Sequence, residues 1–310
     1  MRHSLYRHLD ATNAVMKKAR QSIRLFAFDY DGTIYDGKDF THSEVVGLVE
    51  NIFAKDKSVA IITARAASAL KMLVPVFKKL LSEHDVDRTI FIGLGNGTVL
   101  YALGKNGLRK IYDHGFDLSQ IHRAVSCWEH VYKAHALNVD NLNEKGLETF
   151  RTFLRDDWAG YISDEIVAAC RPYAGSIFAE TAKVTFVLPK DERMKEKIIH
   201  AVAQELGERY IITAGDNIFA HITRRFDEDG KAVAVKTILQ LLGLKKPQVA
   251  TFGDMPMGND KGLLSFPFSF TNSKDFLGNK SDPEKPPYII ANMGASAVAQ
   301  IYSAVDALLR

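Results

Sequence analysis

The sequence predicts an α/β fold, in which a parallel β-sheet with helices on its faces carries an inserted α+β domain. Short apolar strand patterns alternate with helical patterns in the first third of the chain and again after residue 230. The stretch between them breaks this alternation, and polar residues follow several of the strand patterns. Such an alternating order favours parallel strands joined by crossover helices. We therefore expect a core domain at residues 1–115 and 226–310 and an inserted domain at residues 116–225.

The first part of the predicted core is a βαβαβ unit. Its elements are strand Leu25–Asp29, helix Ser43–Ala54, strand Ser58–Thr63, helix Ala66–Leu81 and strand Ile90–Gly93. Ser43 is the expected N-cap of the first helix, because its side chain can accept a hydrogen bond from a free backbone amide. Pro75 should kink or interrupt the second helix, because proline lacks the amide proton.

The pattern then changes in character. The tight-turn signal Lys105-Asn106-Gly107 predicts a hairpin. Residues 116–173 are mostly helical in character, and the inserted domain has its own apolar residues for a core, including Trp128, Trp158 and Phe186. The remaining predictions are hairpin strands Thr98–Leu103 and Arg109–Tyr112, strand Lys183–Leu188, helix Asp191–Leu206, strand pair Tyr210–Thr213 and Ile218–Ile222, helix Ala232–Leu242 ending at Gly243, strand Val249–Phe252, a surface loop at 275–287 and a final helix Ala295–Leu309.

Composition narrows the class of protein. The 310 residues are 46% hydrophobic and 25% charged, as in an ordinary globular protein, and the formal charge of +3 comes without a dense basic tract. We therefore expect no nucleic acid as main partner. No stretch reaches the roughly 18 apolar residues of a membrane span, so we expect no membrane partner. Cys127 and Cys170 lack metal-site spacing, and as free thiols they favour a reducing, cytoplasmic location.

The run FAFDYDGT at residues 26–33 is the strongest functional signal. Asp29 and Asp31 follow a buried strand two positions apart, so in extended backbone both point to the same side. Gly32 permits a sharp turn. Two close carboxylates repel unless a cation or a shared proton relieves them, and a divalent cation beside a phosphoryl group is one solution. A calcium loop is excluded by spacing, because Ile34 and Phe40 hold the positions of its Gly and Glu; an ordinary surface turn is the remaining alternative.

Other polar residues follow later strands. Thr63 closes the second strand and Asp254 follows the strand Val249–Phe252. The carboxyl ends of strands in an open α/β sheet line the ligand crevice. Lys231, at the start of a helix just before the last of these strands, could bring a cation to the same edge.

Together these motifs resemble the haloacid dehalogenase-like superfamily of phosphotransferases. The similarity is greatest to its sugar-phosphatase and phosphomannomutase branch, which has a Rossmann-like parallel-sheet core and a large α/β cap inserted after the second motif. The matching residues are Asp29-Tyr30-Asp31-Gly32-Thr33, Thr63 with Ala64-Arg65, Asn96-Gly97, Gly230-Lys231, Gly253-Asp254 and Asn259-Asp260. Met-Pro-Met-Gly between the last two pairs is longer than the usual phosphatase spacing and resembles the phosphomannomutases.

The resemblance implies a role for each core residue. Asp29 would be the nucleophile that forms an aspartyl-phosphate, and Asp31 the general acid and then the general base. Mg²⁺ would be held by Asp29, the backbone carbonyl of Asp31, and Asp254. Thr63 would bind a phosphoryl oxygen, and Lys231 would offset negative charge.

The resemblance also suggests supporting residues. Asn259 and Asp260 would orient a metal-bound water and Lys231, with a helix cap as the alternative. Lys236 competes with Lys231 for the cation role, but the run from Lys231 to Gly243 fits the branch better. The expected substrate-binding residues are Arg65, Asn96, Lys183 and Arg224. Arg65 could equally be a solvated residue at a helix start.

The expected function is a magnesium-dependent phosphatase that hydrolyses a small phosphorylated metabolite, with a sugar phosphate favoured, in a monomer or homodimer. A phosphohexomutase is the close alternative. A non-catalytic phosphometabolite-binding protein on the same fold is the second alternative, since fold alone does not fix function.

Overall fold

The computed structural model describes residues 2–83, 88–155, 162–170, 176–215, 218–273, 276, 282, 285–290 and 296–310. The chain divides into two compact units. The first unit comprises Met1–Arg65, Met72–Tyr112 and Glu228–Arg310, and the second comprises Ala66–Lys71 and Asp113–Asp227. Within the described ranges, none of the helices combines the length and apolar character needed to cross a membrane.

The helices and strands are numbered in chain order. The helices are α1 (Arg2–Ala19), α2 (His42–Ala54), α3 (Ala67–Glu83), α4 (Leu118–Ala134), α5 (Glu144–Arg155), α6 (Asp164–Cys170), α7 (Glu192–Leu206), α8 (Gly230–Leu241) and α9 (Ala297–Leu309). The strands are β1 (Leu25–Phe28), β2 (Ser58–Ile62), β3 (Ile90–Leu94), β4 (Val99–Gly104), β5 (Gly107–Asp113), β6 (Ile177–Ala179), β7 (Val184–Val187), β8 (Tyr210–Gly215), β9 (Phe219–Arg224), β10 (Val249–Gly253), β11 (Phe268–Thr271) and β12 (Tyr288–Ile289).

The first unit is built on an eight-stranded sheet of order β12-β11-β10-β1-β2-β3-β4-β5. The six strands from β12 to β3 pair in parallel, and β4 pairs with β3 in the antiparallel sense. The predicted α/β class with a large parallel sheet is therefore confirmed. Strand β1 lies in the interior of the sheet, between β10 and β2, so the residue that follows it sits where two parallel neighbours end.

The centre of this sheet consists of strands that are buried along their whole length. Every residue of β1 and β10 is buried. Rings from adjacent strands stack, with centroid distances of 5.1 Å between Phe28 and Phe252 and 5.3 Å between Phe252 and Phe270. Parallel strands covered on both faces read as continuous apolar runs, which is why the sequence revealed them. This apolar packing holds the central strands in register, so their carboxyl ends lie side by side at one edge of the sheet.

The expected cap of helix α2 needs correction, and the alternative that Pro75 interrupts helix α3 is contradicted. Helix α2 is capped by Thr41 and not by Ser43: the Thr41 side chain accepts the amide of Ser43, and Glu44 accepts the amide of Thr41 at 2.8 Å. This capping box satisfies two free amides at once. Helix α3 continues through Pro75 as one element to Glu83.

The second unit is α+β. Its sheet has the order β6-β7-β9-β8 and is antiparallel throughout. Trp128 of α4 is almost fully buried, with its ring 3.7 Å from that of Phe186 on β7. The predicted pair of strands corresponds to β8 and β9, whereas the three-residue strand β6 was not predicted. Trp158, also expected in this core, falls outside the described residues.

Candidate active site

The candidate site begins where two adjacent parallel strands end. Asp29 follows β1, and its amide donates to the carbonyl of Phe252 at 2.9 Å. Asp254 follows β10 directly. Carboxylate oxygens of Asp29, Asp254 and Asp260 all lie within 4.8 Å of one another. The sheet therefore brings residues from distant parts of the sequence into one acidic cluster.

Lys231 is the cation of this cluster. Its Nζ donates to Asp29 Oδ1 at 2.5 Å and to Asp260 Oδ1 at 2.6 Å, and its side chain is fully buried. Helix α8 delivers it from the first turn, where Asp229 caps the helix and accepts the amide of Lys231 at 3.0 Å. Lys236 instead pairs with Glu228 in a more exposed position. The geometry thus places Lys231, and not its competitor, against Asp29.

Asp260 shapes the loop that carries Asp254. Its Oδ2 accepts the amides of Asp254 at 3.0 Å and Met255 at 2.9 Å, while its Oδ1 accepts Lys231. A Cβ at Gly253 would lie 2.7 Å from Asp260 Oδ2, so this close approach requires glycine. These contacts show Asp260 binding loop amides and a buried cation.

Asn259 offers a second polar atom beside this loop. Its Oδ1 is buried and has no hydrogen-bond partner within the described part of the chain. A buried acceptor without a partner is unfavourable unless water, an ion or a ligand satisfies it. The residue therefore suits the predicted role of orienting a water.

The electrostatics of the cluster favour an added cation. Burial raises the pKa of Asp29 to about 7, and the charge of Asp260 adds to this against the opposing effect of Lys231. Burial and then Asp260 raise the pKa of Asp254 to about 6. Burial alone would lower the pKa of Lys231, but Asp29 and Asp260 outweigh it and raise that pKa. One ammonium therefore does not neutralise the cluster. A divalent cation would favour the charged carboxylates that it binds.

Asp31 has a partner of its own. Arg65 binds its carboxylate in a bidentate fashion, with Nε 2.8 Å from Oδ2 and Nη2 2.5 Å from Oδ1. Both side chains are partly exposed, at 36% for Arg65 and 46% for Asp31. The guanidinium also lies 5.8 Å from the ring centroids of Tyr30 and Tyr35. Arg65, expected to bind substrate, is thus engaged with the predicted general acid.

Thr63 lies at the end of the strand next to β1. It is fully buried, its amide donates to the Gly93 carbonyl at 2.9 Å, and its Oγ1 accepts the amide of Arg65 at 3.0 Å. This acceptor role leaves the hydroxyl proton available to a phosphoryl oxygen. The structure thus places Thr63 and Arg65 on one short turn between β2 and α3.

The Asn96-Gly97 pair packs directly against the start of α8. Gly97 has φ +86°, and a Cβ there would lie 2.2 Å from the carbonyl oxygen of Gly230. A Cβ at Gly230 would in turn lie 2.4 Å from the carbonyl oxygen of Asn96. The amide of Asn96 donates to the Thr63 carbonyl at 2.9 Å. This turn therefore supports both the Thr63 turn and the residue before Lys231.

The Asn96 side chain has a buried Oδ1 without a partner among the described residues. Its predicted contact with substrate remains a prediction.

Sequence reasoning missed one role of Gly32 and two supporting residues, Asn272 and Asp229. Gly32 has φ +74°, and a Cβ there would lie 2.7 Å from Asp254 Oδ2, so Gly32 makes room for that carboxylate as well as for the turn. Asn272 donates to the Gly32 carbonyl at 3.2 Å and to the Ala297 carbonyl at 2.9 Å. Asn272 follows β11, a strand that was not predicted, so nothing in the sequence marked it. Asp229 could have been found from the sequence, because an aspartate directly before a predicted helix is a typical N-cap.

Two expected substrate-binding residues belong to the second unit. Arg224 donates from Nη1 to the carbonyls of His114 at 3.1 Å and Gly115 at 3.0 Å, and thus binds backbone of its own unit. Lys183 lies in the turn between β6 and β7, where its amide donates to the Glu180 carbonyl at 3.3 Å. Their proposed contacts with substrate remain predictions.

Comparison with known proteins gives a family match. Residues 26–267 match the family model described as haloacid dehalogenase-like hydrolase. A search of curated proteins gave no significant match.

Several solved structures share the fold. A HAD/COF-like hydrolase from Plasmodium vivax is 16% identical with a TM-score of 0.58, over 94% of this chain and 98% of that chain. A sugar phosphatase of HAD subclass IIB is 17% identical with a TM-score of 0.55, over 92% and 99%. A phosphatase of the same superfamily from Bacteroides thetaiotaomicron is 15% identical with a TM-score of 0.54, over 92% and 95%. At these identities the similarity shows a common fold.

Proposed function

We propose that this chain, which belongs to the haloacid dehalogenase-like hydrolase family, is a magnesium-dependent phosphatase of small phosphate esters that works through an aspartyl-phosphate. The observation that carries the proposal is the buried contact of Lys231 with Asp29 and Asp260 beside the carboxylate of Asp254. A structural ion pair would need only one carboxylate, and a buried carboxylate excess is unstable without a cation. The excess of carboxylates over ammonium groups suits an active site in which one carboxylate reacts and a bound cation balances the charge.

In the proposed first step, an oxygen of Asp29 attacks the phosphorus atom and the ester oxygen leaves as an alcohol. Splitting the displacement into two steps lets one carboxylate replace water as the nucleophile in the first. Lys231 offsets charge on Asp29 from 2.5 Å. Thr63 donates its hydroxyl to a phosphoryl oxygen. Phosphoryl transfer depends mainly on such positioning and electrostatic stabilisation.

Asp31 serves the proton transfers in this proposal. Its carboxyl protonates the departing alcohol and then takes a proton from the water that hydrolyses the aspartyl-phosphate, which releases phosphate and restores Asp29. The bidentate bond from Arg65 holds the Asp31 carboxylate in a defined orientation.

Magnesium fits the donor set. The carboxylates of Asp29 and Asp254 and the backbone carbonyl of Asp31 are the hard oxygen ligands that this ion prefers. The bound ion would supply positive charge between the nucleophile and the phosphoryl group. The buried Oδ1 of Asn259 suits a water held in the same place.

A sugar phosphate is the proposed substrate, and the sugar phosphatase of similar fold supports this choice only at the level of architecture. The loop after Asp254 supports the mutase alternative, because it is longer than in typical phosphatases. That loop is a defined turn in which the amides of Gly258 and Asp260 donate to the Met255 carbonyl. A mutase would convert a hexose 1-phosphate to the 6-phosphate in the presence of the bisphosphate, without net release of phosphate.

The two cysteines support the proposed cellular location, because free thiols are typical of a reducing compartment. Cys127 and Cys170 are buried free cysteines. We keep a cytoplasmic location as part of the proposal, with a small-molecule phosphate ester as partner and a monomer or homodimer as the expected assembly.

The direct test is phosphate release from p-nitrophenyl phosphate and from a panel of sugar phosphates and nucleotides, with magnesium and with EDTA. We expect magnesium-dependent turnover that Asp29→Asn abolishes while circular dichroism and Tm show a folded protein. Asp39→Asn is the matched control, because Asp39 is an exposed aspartate of the same segment. Full activity in Asp29→Asn would refute the nucleophile. Silence across the panel in the wild type would favour the phosphometabolite-binding alternative.

A further inference from the structure

Glu180 is a buried carboxyl group that the proposed mechanism does not use. The residue is 4% exposed, and it lies between β6 and β7 of the second unit. Burial raises its pKa, although the charge of Lys183 and hydrogen bonds from the amides of Ala67 and Ser68 act in the opposite direction. Its Oε2 accepts a hydrogen bond from the amide of Ala67. A buried carboxyl is rarely kept without a specific partner.

The partner is the free N-terminus of α3. The first amides of a helix have no acceptor within the helix, and a side-chain oxygen normally satisfies them. Ala66, directly before α3, has no such side chain. Glu180, 113 residues away, takes its place. Ala67 belongs to the second unit together with Glu180.

The backbone around Glu180 is held firmly. Its amide donates to the Lys183 carbonyl at 2.9 Å, which closes the turn between β6 and β7. The neighbouring carbonyl of Thr181 accepts the amide of Phe116 at 2.6 Å. A Cβ at Gly115 would lie 2.0 Å from that carbonyl, so the chain passes very close to it. The Glu180 carboxyl group that caps α3 is therefore attached to a well-ordered turn.

The capped helix continues the turn that carries two site groups. Thr63 and Arg65 lie four and two residues before Ala67. The Thr63 Oγ1 accepts the amide of Arg65, and Arg65 binds Asp31. A shift at the start of α3 would move this turn, because only Ala66 separates Arg65 from the helix.

We propose that Glu180 is a positioning residue, which caps α3 from a distance and thereby fixes the Thr63–Arg65 turn for phosphoryl binding and for the contact with Asp31. The inference rests on the proposed function for its catalytic part. The capping part stands on the hydrogen bond alone.

The variants are Glu180→Gln, which keeps the acceptor oxygen and the shape, and Glu180→Ala, which removes both. Asp191→Ala is the matched control: Asp191 caps α7 of the same unit by accepting the Met194 amide at 2.8 Å, away from the site residues. Loss of either cap should lower Tm by about 2–4 °C. Tm therefore does not distinguish the two.

Three measurements do distinguish them. Hydrogen–deuterium exchange of peptides covering residues 63–71 should speed up in Glu180→Ala but not in Glu180→Gln or Asp191→Ala. A misplacement of about 1 Å can lower rates roughly 100-fold, so kcat of Glu180→Ala should fall about ten- to 100-fold, with Glu180→Gln close to wild type. In an Arg65→Ala background the further fall should largely disappear, as expected for coupled residues.

Binding of orthovanadate, a phosphate analogue, is measured alongside turnover. Weaker vanadate binding in Glu180→Ala alone supports the inference even if no ester is hydrolysed. If exchange rises but vanadate binding and kcat match Asp191→Ala, the positioning role is overturned while the proposed function stands. If wild type neither binds vanadate nor turns over any ester, the proposed function fails and the catalytic part of the inference fails with it.

Discussion

Replacing Gly97 by alanine should damage the site without touching any reactive group. The new Cβ would lie 2.2 Å from the Gly230 carbonyl oxygen and 2.6 Å from its carbon. Ordinary contact begins at 3.4 Å, so one backbone segment must move by about 1.2 Å. Both partners are backbone, and neither can rotate away. Either movement changes the distance between the Gly97 turn and the first turn of α8, which carries Lys231.

The expected effect of Gly97→Ala has two parts, a loss of stability and a loss of kcat. Alanine at a positive φ costs about 1 kcal/mol, and the forced displacement adds to this loss of stability. A shift of about 1 Å at a positioned group can lower a rate roughly 100-fold. We therefore expect Gly97→Ala to reduce kcat by about two orders of magnitude while Tm falls by only several degrees.

Gly243→Ala is the matched control. Gly243 follows the other end of the same helix with φ +64° and has open space where a Cβ would be. It should show the backbone strain and a normal kcat. The assay is steady-state hydrolysis of p-nitrophenyl phosphate, with Tm from differential scanning fluorimetry. If both variants keep the same kcat, the contact between Gly97 and Gly230 does not position Lys231 and the reasoning is wrong.

Three further predictions concern the charges of the cluster. Lys231→Met should lower the free energy of unfolding by about 3–5 kcal/mol in chemical denaturation, because it leaves Asp29 and Asp260 buried without their cation; an unchanged stability would contradict the buried pair. The folded pKa values of Asp29 and Asp254 lie above the ordinary 3.8, so without a divalent cation their contribution to stability is fully present below about pH 4 and is lost as pH rises to about 7. The Tm of wild type relative to Asp254→Asn should therefore fall between pH 5 and pH 8 in EDTA, and a flat difference would refute the shift. Magnesium at pH 8 should raise the Tm of wild type by ligand linkage and should raise that of Asp254→Asn much less.

The sequence predicted those strands of the sheet that are buried on both faces. Strands β1, β2 and β10 are buried along almost their whole length, so each appears as a largely apolar run. Strand β11 has four residues of which Ser269 and Thr271 are polar, and β12 has two residues, so neither shows an apolar run in the sequence. The cap of α2 was misplaced by two residues, because Thr41 and Ser43 are both good capping residues and only the Glu44 contact decides between them.

The predicted site residues differ in how far the sequence could specify them. Asp29, Asp254 and Lys231 meet because strand ends and a helix start converge, which follows from topology. The bond between Arg65 and Asp31 depends on side-chain rotamers in two loops, and no pattern encodes it. The close approach of Gly97 to Gly230 is a contact between two backbones, so the sequence shows only that both are glycine.

The interior position of β1 has a consequence for how the protein acquires activity. Lys231 is 202 residues from Asp29 along the chain, and the strand that brings Asp254 pairs with β1 across a similar separation. Closing such long loops is entropically unfavourable and slow relative to local contacts. We therefore expect catalytic competence to arise late in folding, when the segment that carries β10 and α8 docks beside β1. Recovery of turnover during refolding would report completion of the native topology.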